Sequence, residues 1–221
     1  MKPCHISTLL LDFDGVILES VEVKTRAFRE LFSFRPDHVG EIVAYHMRNT
    51  GVSRFDKFRH IYREILKEPL TDERFTWLSD RYADLVVDGV VASPFVRGAE
   101  EFLGRFSGKI PLFVVSASPQ LELESIILRR GLAPRFRKVY GAPMKKVDAI
   151  REIMAVTGSA PGEVLFVGDA VNDLHAARAA GIRFIGRVPP EDPGRFTHEK
   201  GVELVVRDLE DLSLYMEQET C

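Results

Sequence analysis

Asp12-Phe13-Asp14-Gly15 follows directly on the apolar run Thr8-Leu9-Leu10-Leu11. The run reads as a buried strand, and two carboxylates at the end of one are too costly to leave without a cation or a shared proton. In an extended strand, residues two apart point the same way, so Asp12 and Asp14 face one centre at the strand's carboxyl end. Gly15 then lets the backbone turn sharply. A chain that opens this way is constrained to a fold in which a buried strand delivers acids to a site.

A second acidic cluster repeats the pattern. Val164-Leu165-Phe166-Val167-Gly168-Asp169-Ala170-Val171-Asn172-Asp173 is again an apolar strand, then Gly-Asp, then another Asp. Four carboxylates at two strand ends imply a hard divalent cation, and oxygen-only ligation suits Mg2+ better than zinc. Between the two clusters stand Val114-Val115-Ser116 and Lys145-Lys146.

Strand-like runs are expected at Ile6 to Phe13, Ile110 to Val115, Lys138 to Tyr140, Val164 to Val167, Ile182 to Ile185 and Glu203 to Val206. Helical patterns alternate with the later ones, as in a parallel α/β sheet. Ser118-Pro119 reads as N-cap and first helical residue, with Gly131 closing that helix and Gly158 and Gly181 closing the next two. From about Ser20 to Val91 the period is helical throughout. Phe55, Phe58, Tyr62, Ile65 and Leu66 form one apolar stripe, and Phe75, Leu78, Tyr82, Leu85 and Val86 another.

With DxD, Ser, Lys and GDxxxD in this order, the chain resembles the haloacid dehalogenase-like phosphohydrolases along its whole length. The resemblance implies a Rossmann-like parallel sheet core (residues 1–19 and 92–221) with an inserted α-helical cap (residues 20–91) of the family's first cap class, over the active site. It implies that Asp12 is the nucleophile, through an aspartyl-phosphate, and that Asp14 is the partner acid/base, a role that needs its pKa lifted. Asp169 and Asp173 are then expected to hold Mg2+ with Asp12 and the backbone carbonyl of Asp14. Asp173 is the less direct ligand, because it also suits the orienting of Asp169 or Lys146 and the capping of a helix.

Ser116 ends the second core strand in this reading, where its hydroxyl and the amides that follow, that of Ala117 first, bind transferring phosphoryl oxygens. Ser118 is assigned to the helix cap. Family spacing favours Lys146 over Lys145 as the basic residue. Gly51-Val52-Ser53-Arg54 resembles the substrate-specificity loop of beta-phosphoglucomutase and neighbouring phosphatases. Ser53 with Asp56 also makes a capping pattern. Arg54 is either a bidentate grip on the distal anionic part of a substrate or a surface arginine at a helix start.

Asp14 argues for phosphoryl transfer over carbon-halogen cleavage, since dehalogenase relatives usually lack the second Asp. The reading is a phosphatase of a small phosphomonoester, a sugar phosphate or a phosphoglycolate-like acid. A phosphomutase is the enzymatic alternative, disfavoured because Gly168-Asp169 stands where that mutase carries Glu-Asp. A phosphate-accepting receiver-like domain is the non-enzymatic one, disfavoured by the helical insertion. Gly104 to Ile110 imitates a Walker loop with one residue too few between its glycines, and precedes a strand.

Composition narrows the partners. A net charge of -3 gives no electrostatic reason to expect nucleic acid, and the six His show no ligand spacing. A small phosphorylated metabolite is expected, with no membrane partner, because the first apolar run is short and broken by Asp12 and Asp14 and no run reaches spanning length. Cys4 and Cys221 lack a disulfide-rich pattern, so a reducing, cytoplasmic setting is expected. Cys221 stands at the wrong place for prenylation.

Overall fold

A computed structural model describes residues 5–219; Cys4 and Cys221 lie outside them. The strands are β1 (Thr8–Leu11), β2 (Leu112–Pro119), β3 (Lys138–Ala142), β4 (Val164–Gly168), β5 (Arg183–Arg187) and β6 (Leu204–Val206). They form one parallel sheet in the order β3-β2-β1-β4-β5-β6. This is the doubly wound Rossmann-like order, whose direction reverses between β1 and β4. Leu11 pairs with Val114 on one side and Val167 on the other, so the residues just after β1 and β4 emerge side by side at that crevice. Both acidic motifs stand there.

The central strands are continuous apolar runs because both sheet faces are covered. Leu9 and Leu11 join the cluster containing α5 (Ala99–Phe106), α6 (Gln120–Arg129) and α9 (Leu209–Glu219). Leu10 faces the other way, into the cluster of α7 (Lys146–Thr157) and α8 (Val171–Ala180). Gly158 and Gly181 close α7 and α8 at φ of 70° and 74°, as their positions predict.

Between β1 and α5 the described chain is helical: α1 (Val21–Leu31), α2 (Val39–Arg48), α3 (Arg54–His60), a π-helical stretch Ile61–Leu66, and α4 (Asp72–Ala92). Phe58, Tyr62, Leu78, Tyr82 and Val86 are buried as the stripes predict. The π turn also carries Ile61 fully inside, which a strict 3.6-residue period does not foresee. The first cluster runs unbroken from Leu11 into Phe28, Phe58 and Tyr82 of these helices. The insert is therefore seated on the sheet's helical layer by apolar packing, each fully buried Phe worth about 3–5 kcal/mol against truncation to Ala.

Two expectations change. Strand β2 runs on to Pro119, with its pairing to β3 shifting register between Val115 and Pro119. Ser116 thus lies inside the strand rather than at its end. Helix α6 begins at Gln120, so Pro119 is the flanking residue and Ser118 caps nothing. The proline ends the strand instead of opening the helix, and the Ser118 hydroxyl is drawn to Asp14 and Lys24 beside it.

Candidate active site

Asp12, Asp169, Asp173 and Lys146 form the floor of the crevice, all buried. The Lys146 Nζ donates to Asp12 Oδ2 at 2.9 Å and to Asp173 Oδ1. Lys145, its neighbour, is exposed at the N-cap of α7, because the first turn of α7 points only one of two adjacent side chains inward. Asp173 caps the start of α8 by accepting from the Ala170 N–H at 3.1 Å. Its two oxygens are thus both engaged by protein donors. Asp169 is held by Arg195, which donates to its carbonyl at 2.7 Å and to Oδ2 at 3.2 Å.

Charge on this floor is unbalanced. One carboxylate oxygen from each of Asp12, Asp169 and Asp173 lies within 4.8 Å of the others. Burial pushes Asp12 up to about 7 against the pull of Lys146. Burial, then the Asp12 charge, pushes Asp169 up to about 7 as well. Lys146 moves the other way: burial works against its ammonium, but Asp12 and Asp173 outweigh it and hold its pKa above the ordinary value. Three buried carboxylates facing two cations, with oxygen donors only, fit a hard divalent ion.

Asp14 departs from expectation. Burial alone raises its carboxyl, but Lys24 beside it, with hydrogen bonds from Lys24, Ser20 and Ser118, prevails and holds it below the usual carboxylate range. Lys24 Nζ donates to Asp14 Oδ2 and to Ser118 Oγ at 2.8 Å. Ser118 Oγ donates to Asp14 Oδ2 at 3.1 Å, and Ser20 Oγ to Asp14 Oδ1 at 2.6 Å. Ser20 and Lys24 lie one helical turn apart at the start of α1, so they reach the same carboxylate. That spacing was readable in the sequence, but nothing local says which way the turn faces. Gly15 brings the chain there at φ 73°, and a Cβ on it would stand 2.6 Å from Asp169 Oδ2.

Above the floor, a chamber of about 80 Å³ is lined by Asp12, Asp14, Ser116, Ala117 and Asp169 below and by Lys24, His46, Arg54, Lys57 and Tyr82 from the helical insert. The insert is pinned at Gly51, whose carbonyl accepts from Asn172 Nδ2 at 2.7 Å. Gly51 has φ 78°, and a Cβ there would lie 2.8 Å from the Ala170 Cβ. Ser53 caps α3 by accepting from the Asp56 N–H at 3.2 Å, as its spacing predicts.

Arg54 is buried rather than on the surface, and its guanidinium is already bound. It donates from Nη1 to Glu122 Oε2 at 2.8 Å and from Nη2 to Oε1, a bidentate pair joining α3 to α6. Its Cζ also lies 5.2 Å from the Tyr82 ring centroid. The sequence pattern places Arg54 at the chamber but gives no sign of Glu122. Lys24, Lys57, His46, Glu122, Ser118 and Arg195 all reach the site without belonging to any motif.

A model of the haloacid dehalogenase-like hydrolases matches residues 6–181. The chain belongs to this family. Among its relatives, phosphoglycolate phosphatase 1 of Pseudomonas aeruginosa is 31% identical over 213 residues, covering 92% of this chain and 77% of that protein. The phosphoglycolate phosphatase of Pseudomonas putida is 25% identical over the same coverage. In fold, this haloacid dehalogenase-like hydrolase is similar to the crystal structure of a predicted phosphatase from Clostridium acetobutylicum, with a TM-score of 0.75 at 18% identity, covering 97% of this chain and 99% of that one. No helix among the described residues is long and apolar enough to cross a membrane.

Proposed function

We propose that the chain is a Mg2+-dependent phosphatase of a small phosphomonoester, with residues 20–91 acting as a cap over a core of residues 1–19 and 92–221. The observation that carries this reading is the floor itself: Asp12 buried beside Lys146, in a cluster of acids with more negative charge than its cations balance. Asp12, Asp169 and the backbone carbonyl of Asp14 would hold the ion, with Asp173 acting through Lys146 and the α8 cap. When bound, Mg2+ screens the approach of an anionic nucleophile to an anionic phosphoryl group.

Asp12 attacks phosphorus, forming an oxygen–phosphorus bond as the ester oxygen departs. Ser116 and Ala117 line the chamber from the core side, and the Ser116 hydroxyl and Ala117 amide, with the Lys146 ammonium held against Asp12, would receive the equatorial phosphoryl oxygens. The departing oxygen takes a proton relayed from the Lys24 ammonium through the Asp14 carboxylate to which it is hydrogen-bonded, leaving Lys24 neutral and Asp14 ionised. Water then attacks phosphorus. Asp14 takes the water's proton and returns it to Lys24, the Asp12–phosphorus bond breaks, and inorganic phosphate leaves.

Curated relatives that are phosphoglycolate phosphatases, together with a chamber well below the several hundred cubic ångströms of drug-sized pockets, support a compact phosphorylated metabolite as substrate. The test is phosphate release from a panel of such metabolites with Mg2+, repeated with Asp12→Asn. Turnover by Asp12→Asn within tenfold of the parent removes Asp12 from the nucleophile role.

A further inference from the structure

Three cations of the helical insert face the chamber: Lys24, Arg54 and Lys57. Lys24 is paired with Asp14 and Arg54 with Glu122. Lys57, on α3 and only 3% exposed, has no carboxylate partner among the described residues. Its Nζ meets His46 Nδ1 at 3.2 Å and lies 5.6 Å from the Phe28 ring centroid. Burial, then the Lys24 charge, pushes the Lys57 ammonium down to about 7.

His46 does not neutralise it. Burial, with Lys57 and Lys24 nearby, pushes the imidazole down to about 2, so the ring is neutral, packed at a 32° tilt against Phe28 with centroids 4.2 Å apart. An ammonium donating to Nδ1 leaves the ring proton on Nε2, and Nε2 is buried with no hydrogen-bond partner among the described residues. An unpaired buried ammonium is costly unless something anionic arrives to meet it.

We propose that Lys57, with His46 behind it, receives a carboxylate at the cap end of the chamber, so that the true substrate is a compact phosphomonoester carrying a carboxylate at the end opposite its phosphoryl group. This rests on the phosphatase reading and narrows it, setting neutral sugar phosphates aside. A single ammonium matches a monoanionic carboxylate better than a second, dianionic phosphate, since the other two cations are already engaged. It also transfers to Lys57 the anion-gripping role that one of the two sequence readings gives Arg54.

The experiment compares kcat/KM for phosphoglycolate, for 2-hydroxyethyl phosphate, which has the same span without the carboxylate, and for ethylene glycol bisphosphate, in the parent and in Lys57→Met. The parent is expected to prefer phosphoglycolate over the neutral ester by about ten- to a hundredfold, the worth of one charge-assisted contact. Lys57→Met should reduce that preference to under about threefold. A purely structural Lys57 lowers both rates together and leaves the ratio intact, which overturns the proposal. So does a parent that treats acid and neutral ester alike, or one that favours the bisphosphate. Should Lys57→Met not fold, Lys57→Gln and the parent's own ratio decide. Failure of the phosphatase reading looks different: no ester in the set, nor an aryl phosphate, is then turned over in an Asp12-dependent way.

Discussion

The floor and the ceiling of the chamber are opposite in charge, and each is incompletely balanced. On the floor, Asp12, Asp169 and Asp173 outnumber Lys146 and Arg195. On the ceiling, the cations Lys24, Arg54 and Lys57 outnumber the acids Asp14 and Glu122 that answer them. Burial makes each imbalance expensive, so each is a place where a bound ligand would relieve the cost. The floor lacks positive charge, which suits a metal ion and phosphoryl chemistry; the ceiling lacks negative charge, which suits selection of the substrate's other end.

The largest expected effect tests the floor. Asp12→Asn keeps shape but loses the nucleophilic charge, and activity should fall by at least about 10⁴-fold in a protein that melts like the parent. Next comes the balance around Lys146. Lys146→Met strands Asp12 and Asp173 against each other and should cost about 3–5 kcal/mol of metal-free stability, read by denaturant unfolding. Millimolar Mg2+ should recover part of that loss if the floor's need is simply for a cation.

Metal binding itself sharpens the contrast. Protons compete with a cation for Asp12 and Asp169, whose carboxyls are pushed up to about 7 in the metal-free protein. Mg2+ affinity should therefore strengthen as pH rises from 6 through 8, with protons released on binding, measurable by calorimetry in two buffers. Asp169→Asn should weaken that affinity more than Asp173→Asn, because the oxygens of Asp173 are already committed to Lys146 and to Ala170. An affinity independent of pH would break the link between the acids and the ion.

Two ceiling substitutions should have smaller effects. Because Arg54 is bound to Glu122 across the insert and the core, a double-mutant cycle of Arg54→Ala and Glu122→Ala should give a coupling energy of about 1–3 kcal/mol in stability. Turnover of a large and a small phosphate ester should fall together, since the pair closes the chamber rather than reading the ligand. Lys24→Met removes the charge that holds Asp14 low. Asp14 then protonates at higher pH, and the acid limb of the kcat/KM profile should move upward by a modest amount, measured at saturating Mg2+.

Much of the floor was legible because its residues sit at strand ends, where local pattern carries position. An apolar run that stops at Asp12 or Gly168 says both that a strand is buried and where it empties. The choice of Lys146 over Lys145 followed from the spacing of the family the chain resembles, and the helix that begins there turns Lys146 inward. The ceiling was far less legible. Arg54 was placed at the site from its loop, yet its partner Glu122 lies 68 residues away on another helix, and no periodicity connects them. Ser118 read as a helix cap because Ser-Pro commonly is one, and only the continuation of β2 to Pro119 turned its hydroxyl to Asp14.

By itself the sequence determined the parallel α/β core, the helical insert and the acids that end β1 and β4, because period and strand-end chemistry are local properties of a chain. Only the tertiary structure decided how charges pair across the chamber: that Lys24 lowers Asp14 rather than leaving it to rise, that Glu122 occupies Arg54, and that Lys57 is buried with no carboxylate in contact among the described residues. Pairing depends on which elements the packed core brings within a few ångströms, and burial then multiplies the energetic weight of each match or mismatch.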